Sequence, residues 1–289
     1  MTKSRLEAVR RGYAREVMAT AEVEDRRIEA AFACVPRERF LGPPPWEIVD
    51  LRFGSPFVAV EDAAGVYQDE LIRLLPGTGI NNGVPSLHAR MMAGLDVRPG
   101  DRVVHIGAGS GYYTAILAEL AGRDGRVTAV EYDARLVERA REALADRQNV
   151  RVGQGDGADW PQDLADAVYV NFGVTRPADR WLDRLAPGGR LLIPLGVPRA
   201  PHGAALVIER QDAGFAVRWL SPAYFIAAEG RLAGSADQVE ALRRAFEHGG
   251  IEFVRSLRRG GGDPGRSWFW AADWSLSYDP PGAGAEPPA

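Results

Sequence analysis

Apolar positions along this chain change period several times, and each change predicts an element. Leu6, Val9, Tyr13 and Val17 recur at helical spacing, as do Ile28, Ala31 and Phe32, so residues 4–40 read as two helices. They stop at Val35-Pro36, where proline removes an amide donor. Residues 41–75 lose all period, broken by Pro43-Pro44-Pro45 and Gly54-Ser55-Pro56, and predict an irregular segment. Gly77, Gly79, Asn81, Asn82 and Gly83 then make 77–85 a loop of turn formers, a place where function concentrates. From Arg102 onward strands (103–106, 126–130, 150–152, 167–171, 190–195) alternate with helices (113–120, 134–145, 180–185). That alternation predicts an α/β fold built on a doubly wound sheet. Residues 204–209 and 215–220 alternate around Asp212-Ala213-Gly214 and predict a terminal antiparallel hairpin. A helix at 236–246 and short strands at 251–257 and 268–277 follow. On a regular strand the even spacing of Trp268, Trp270 and Trp274 puts them on one face, either to pack the hairpin or to offer a ligand platform. The proline-rich stretch from Asp279 predicts a disordered tail, 279–289.

The run Val103-Val104-His105-Ile106 breaks into Gly107-Ala108-Gly109-Ser110-Gly111 before a helical pattern starts at Tyr112 and Tyr113. Strand, tight turn and helix N-terminus together offer close backbone approach and unpaired amides to a nucleotide-like ligand. Glu131 closes the next strand about twenty residues on, where a carboxylate can accept both ribose hydroxyls. A dinucleotide fingerprint needs a small residue where this chain has Tyr112, so the nicotinamide reading weakens. What remains resembles the class I S-adenosylmethionine (SAM) methyltransferases. That resemblance assigns Gly107, Ala108, Gly109 and Gly111, with Tyr112 at the loop's end, to the methionine part and Glu131 to the ribose. It assigns Asp156 and Gly157 to the adenine end, with Asp156 readable also as a turn residue. Tyr132 stacks on the adenine or covers the sheet edge, and Asn171 faces the methyl group or caps the next helix.

Composition narrows the classes. A length of 289 residues with 46% hydrophobic content suits a soluble globular chain with a core of its own. A net charge of -4 argues against a general nucleic-acid binder. The basic N-terminal stretch has no apolar region behind it, and no run is long enough to span a membrane. The single cysteine, Cys34, rules out an internal disulfide framework and suits a cytoplasmic, reducing location; Ala31, Phe32 and Val35 around it predict a buried structural thiol. The four histidines show no metal-ligand spacing, so no metal is expected, and oligomeric state stays open.

Further motifs carry a more specific likeness: Val35-Pro36-Arg37 with Phe40, Tyr67-Gln68-Asp69, Pro85-Ser86-Leu87-His88-Ala89, Gly155-Asp156-Gly157, Pro187-Gly188-Gly189-Arg190 and Pro194-Leu195-Gly196. In this order they resemble the protein-L-isoaspartate O-methyltransferases, over about residues 5–228. The resemblance implies a Rossmann-like fold and SAM-dependent methylation of an isoaspartyl carboxylate in a protein or peptide. It divides the chain into a helical cap and irregular segment (1–76), a SAM-binding domain (77–228) with substrate loop 77–88, a C-terminal extension (229–278) and the tail (279–289). Two positions depart from the family. Its active-site serine falls at Gly83, and its strand-end acid falls at His105. Asn82 and Ser86, and then Asn81, are the candidates to bind the acceptor in place of that hydroxyl, the alternative being that they only shape the turn. His88 reads as a core or capping histidine or as a catalyst. A carboxylate is already ionised at neutral pH, so no general base is needed. The departures leave open a peptide natural product or small molecule as acceptor, or a protein that binds SAM without catalysis.

Overall fold

The N-terminal helices form where the pattern places them. α1 (Lys3–Ala21) is capped by Thr2, and α2 (Arg26–Cys34) by the Asp25 carboxylate, which accepts the Arg27 amide at 2.7 Å. In this computed structural model the described residues are 2–49 and 57–283, in two units, Met1–Gly157 and Ala158–Ala289. Gly54-Ser55-Pro56 and residues 284–289 lie outside the described residues. No helix among those described is long and apolar enough to cross a membrane.

In the first unit, residues 41–75 differ from the irregular expectation. β1 (Trp46–Val49) pairs antiparallel with β2 (Val58–Val60) and with β3 (Leu71–Ile72) in a three-stranded sheet. Strands this short leave no period in the sequence; their partners, not their patterns, define them. Cys34 also differs: it is exposed. Ile28, Ala31 and Phe32 set the buried face of α2, and Cys34 sits two residues past Phe32, with its sulfur 4.0 Å from a Glu119 carboxylate oxygen.

α3 (Pro85–Leu95) starts with proline at its first turn, and the Asp69 carboxylate accepts the Ser86 amide at 2.7 Å, tying the helix to the segment before the loop. β4 (Arg102–Ile106), β5 (Arg126–Glu131) and β6 (Val150–Gln154) pair in parallel, with Ile106 opposite Val130 and Glu131 opposite Gln154. α4 (Tyr112–Ala121) is apolar on nearly every side and buried accordingly. α5 (Ala134–Ala143), capped by Asp133, buries only its Leu136, Val137, Ala140 and Ala143 stripe.

In the second unit β7 (Ala165–Val170) is followed by α6 (Asp179–Asp183) and pairs in parallel with β8 (Leu185–Gly196). β9 (Gly203–Gln211) and β10 (Gly214–Pro222) form the expected hairpin, with Gly214 at φ 126° in its turn. After α7 (Ala236–His248), closed by a Ser235/Gln238 capping box, come β11 (Ser256–Arg259), β12 (Ser267–Trp270) and β13 (Trp274–Ser277). They do not stand apart: β11 pairs with β10, β13 with β11 and β12 with β13. The three tryptophans do not share a face. The register slips between Ser267 and Phe269, so Trp268 and Phe269 are both buried while Trp270 is 47% exposed. Trp268 meets Phe246 edge-on and Phe269 packs on Trp274. The start of the expected disordered tail is fixed as well, because Asp279 pairs with Arg266 and Arg258.

Candidate functional site

Three left-handed glycines shape the loop after β4. Gly107, Gly109 and Gly111 all have positive φ, at 79°, 58° and 93°. The Gly107 and Ala108 amides donate to the Val130 carbonyl at 2.9 and 3.0 Å, which fastens the loop to the tip of β5. A Cβ on Gly111 would lie 2.7 Å from a Leu144 methyl, and one on Gly109 3.3 Å from a Leu74 methyl, so the loop is close-packed on the protein side. Gly111 caps α4, whose first amides point into the same end of the parallel strands.

Glu131 ends β5 beside this loop. Its carboxylate accepts the Gly109 amide at 2.7 Å, the Tyr132 amide at 2.8 Å and the Asp133 amide at 3.0 Å. Burial raises its proton affinity and the three amides oppose that, with burial prevailing. Tyr132 follows with its ring 63% exposed, and Gly155 donates to the Glu131 carbonyl at 3.0 Å, bringing Asp156 and buried Gly157 to the neighbouring strand end. Gly107, Ala108, Gly109, Gly111, Glu131, Tyr132, Asp156 and Gly157 thus gather at one edge of β4, β5 and β6. The glycine cradle, the carboxylate at the strand end and the open tyrosine fit an adenosyl group. Tyr112 takes another place: its ring is buried among Phe32, Phe40, Tyr13 and Tyr113, and its hydroxyl lies 3.3 Å from that of Tyr13. Asn171 follows β7 directly, half-buried, in the second unit.

The loop before α3 is closed on itself. Leu74 donates to the Ile80 carbonyl at 2.9 Å, Asn81 accepts the Gly83 amide and donates to the Gly79 carbonyl, and the Asn82 amide donates to the Ile72 carbonyl at 3.0 Å. The Asn82 side chain is buried; its oxygen accepts from Ile72 at 3.0 Å and from Arg37 at 3.3 Å, while its amide nitrogen has no hydrogen-bond partner. Asn81 makes a turn, Asn82 pins the loop, and Ser86 is buried in the first turn of α3.

Under the loop stands His88. Its ring stacks on Tyr113 at 3.6 Å and 10°, and Nε2 lies 2.1 Å from the point where a Cβ on Gly83 would sit. His105 on β4 is equally buried, with Nδ1 2.9 Å from the Thr114 hydroxyl. Burial pushes His105 down to about 3 and holds His88 well below the usual 6.5, where His105 and Arg37 push the same way. Both imidazoles are therefore neutral at physiological pH. Below about pH 6.5 the unfolded chain takes up protons that these folded groups refuse, so their contribution, complete above 6.5, is lost as pH falls. The expected loss is about 1.4 kcal/mol per pH unit for each histidine. Urea unfolding at falling pH reads it, and His105→Gln should show the shallower slope; equal slopes would contradict the burial argument.

Sequence reasoning missed Arg37 and Asp69 as the loop's supports and Thr114 as a partner of His105. Arg37 and Asp69 lie in motifs that mark the family likeness, yet their contacts are with residues 17 to 45 positions away.

The chain matches the family model for protein-L-isoaspartate(D-aspartate) O-methyltransferase over residues 55–233. Among curated relatives it is 38% identical to a protein-L-isoaspartate O-methyltransferase of Aeropyrum pernix, over 61% of this chain and 62% of that protein. It is 32% identical to a protein-L-isoaspartate O-methyltransferase 2 of an Anaeromyxobacter species, over 78% of this chain and 84% of the relative. With that of Ignicoccus hospitalis it shares 30%, over 76% and 97%. Of solved structures, a protein-L-isoaspartate O-methyltransferase superposes with a TM-score of 0.66 at 24% identity, covering 86% of this chain and 72% of the other. A Plasmodium falciparum structure described as a putative member, in complex with S-adenosyl-L-homocysteine, gives 0.60 at 18%, covering 76% and 98%. These two likenesses are of fold, the Rossmann-like α/β fold that the strand and helix alternation predicts.

Proposed function

The chain belongs to the protein-L-isoaspartate O-methyltransferase family, whose members are SAM-dependent methyltransferases, and from that premise we propose that it methylates an isoaspartyl carboxylate of damaged proteins or peptides. The observation that carries the cofactor half is the Glu131 carboxylate closing on the Gly109 amide beside an exposed Tyr132. S-adenosylmethionine supplies a methyl group on a sulfonium centre. Gly107, Ala108, Gly109 and Gly111 hold its methionine part by backbone approach, Glu131 its ribose, and Tyr132, Asp156 and Gly157 its adenine.

For the acceptor, loop 77–88 binds the carboxylate, with the Asn82 amide nitrogen and Ser86 as donors and Asn81 setting the turn. The acceptor arrives ionised, so the loop's task is orientation and exclusion of water rather than proton removal. The neutral histidine pair suits this task. A repair role in the cytoplasm, on protein substrates, follows from the reading and from a composition with one exposed cysteine.

The test is transfer of labelled methyl from SAM to an isoaspartyl peptide beside its normal aspartyl twin, scoring base-labile label and S-adenosylhomocysteine together. Label on the isoaspartyl peptide alone is the expected result. Label on neither peptide, with SAM binding intact, overturns this acceptor and favours a peptide natural product, a small molecule or a non-catalytic role.

A further inference from the structure

Asn82-Gly83 is the only Asn-Gly pair in the sequence, and it stands in the loop before α3. In such a pair the backbone nitrogen after the asparagine can attack the asparagine side chain, because glycine puts no Cβ in the way. The Gly83 nitrogen forms a bond to Cγ of Asn82 and gives up its proton, the Cγ–Nδ2 bond breaks, and Nδ2 leaves with that proton as ammonia. Water then opens the cyclic imide at one carbonyl or the other. The products are an aspartate or an isoaspartate, the latter with its main chain routed through Cβ.

The electrophile is prepared for this step. Oδ1 of buried Asn82 accepts from the Ile72 amide at 3.0 Å and from the Arg37 guanidinium at 3.3 Å, two donors that would also hold the negative oxygen of the tetrahedral adduct. The nucleophile is restrained instead. The Gly83 amide donates to Oδ1 of Asn81 at 2.9 Å, and Asn81 is fixed in turn by its own Nδ2, which donates to the Gly79 carbonyl at 2.9 Å. An amide oxygen is too weak a base to take the Gly83 proton, and while it sits there it covers that proton from hydroxide. We propose that Asn82-Gly83 is a latent deamidation site and that Asn81 is its guard, holding the Gly83 N–H out of the ring closure that Ile72 and Arg37 would otherwise assist. The inference goes beyond the proposed methyl transfer and does not depend on it. Ring closure would draw the Asn82 oxygen away from Ile72 and Arg37, and an isoaspartate would lengthen the chain beside Gly83, whose φ of 71° is fitted to the space above His88.

The experiment follows deamidation at Asn82 in the full chain by peptide mapping and mass spectrometry, separating aspartyl from isoaspartyl products, with hydrogen exchange read at the Gly83 and Leu74 amides. At neutral pH the folded parent should deamidate at least about tenfold more slowly than the same chain in denaturing guanidinium. Asn81→Ala should raise the folded rate about fivefold, the effect of one lost hydrogen bond, and release Gly83 exchange while Leu74, which donates to Ile80, stays protected. Asn81→Asp keeps an oxygen for the Gly83 amide and should stay within about twofold of the parent. A parent that deamidates as fast folded as unfolded overturns the proposal without any variant. So does a folded Asn81→Ala protein with an unchanged rate, or one in which Leu74 loses protection together with Gly83, since the closed loop as a whole would then be the guard. Methyl transfer enters none of these readouts, so a failed isoaspartyl assay and a failed guard are told apart.

Discussion

Arg37→Ala is expected to destabilise the first unit by about 3–5 kcal/mol and to raise the KM for the acceptor far more than the Kd for SAM. Arg37 has no exposed surface, and its guanidinium donates to the Val66 and Gln68 carbonyls at 2.8 and 2.6 Å, the Glu70 carbonyl at 2.8 Å and the Asn82 side-chain oxygen at 3.3 Å. Its centre lies 5.8 Å from the ring centroids of both Tyr13 and Tyr112. Alanine leaves the buried Val66 and Glu70 carbonyls and the part-buried Gln68 carbonyl without these donors, the buried ones each costing about 1–3 kcal/mol unless water enters. It also opens a hole between two tyrosines. The acceptor loop is the part most exposed to the loss, because Arg37 joins 66–70 to Asn82 and so fixes both ends of the segment from which the loop rises. Lysine should recover only part, since an ammonium has three donors and no planar fork to spread over four acceptors. Urea unfolding and a KM-against-kcat comparison measure both effects. A loss below about 1 kcal/mol would mean that the carbonyls re-pair with solvent and that Arg37 is not the loop's anchor.

The reason sequence could find the cofactor half of this site and not the support of the acceptor half is distance along the chain. Gly107, Gly109 and Gly111 declare a turn by residue type alone, and the strands on either side of it declare themselves by apolar runs, so the loop and Glu131 were legible within about thirty residues. The tie of the Asn82 oxygen to Arg37, 45 positions earlier, and to Ile72 leaves no trace in the sequence around it. Asp69 shows no sign of being the cap of α3 until the chain folds back 17 residues. Phase errors have a different origin. The apolar neighbours of Cys34 predict burial where its angle around α2 sets exposure, and a register slip that even spacing cannot reveal separates Trp268 from Trp270. β1, β2 and β3 are too short to leave a period, and pairing across residues 46–72 is what makes them strands.

Gly83→Ser, which would return a hydroxyl to the position where the family carries its serine, is expected to lower turnover by more than about a hundredfold and stability by about 2–4 kcal/mol. Two costs add. Gly83 has φ 71°, a left-handed conformation that charges a side-chain-bearing residue about 1–3 kcal/mol. A Cβ there would also stand 2.1 Å from Nε2 and 2.8 Å from Cδ2 of His88. The imidazole is held against swinging aside, because it is stacked face to face on Tyr113 and has no exposed surface. The loop must therefore lift, and the acceptor geometry goes with it. Gly83→Ala should do nearly as much damage, which assigns the effect to the Cβ rather than the hydroxyl. Adding His88→Ala to Gly83→Ser relieves the overlap but not the φ cost, so the two changes should be non-additive in stability by at least about 1 kcal/mol. The cycle decides between two histories of this site. Coupling of that size means Gly83 and His88 occupy one space between them, and a hydroxyl at 83 is incompatible with an imidazole in this position. Additive effects, or a Gly83→Ser protein that gains isoaspartyl activity, would mean that the loop has a second conformation in which the serine fits beside His88.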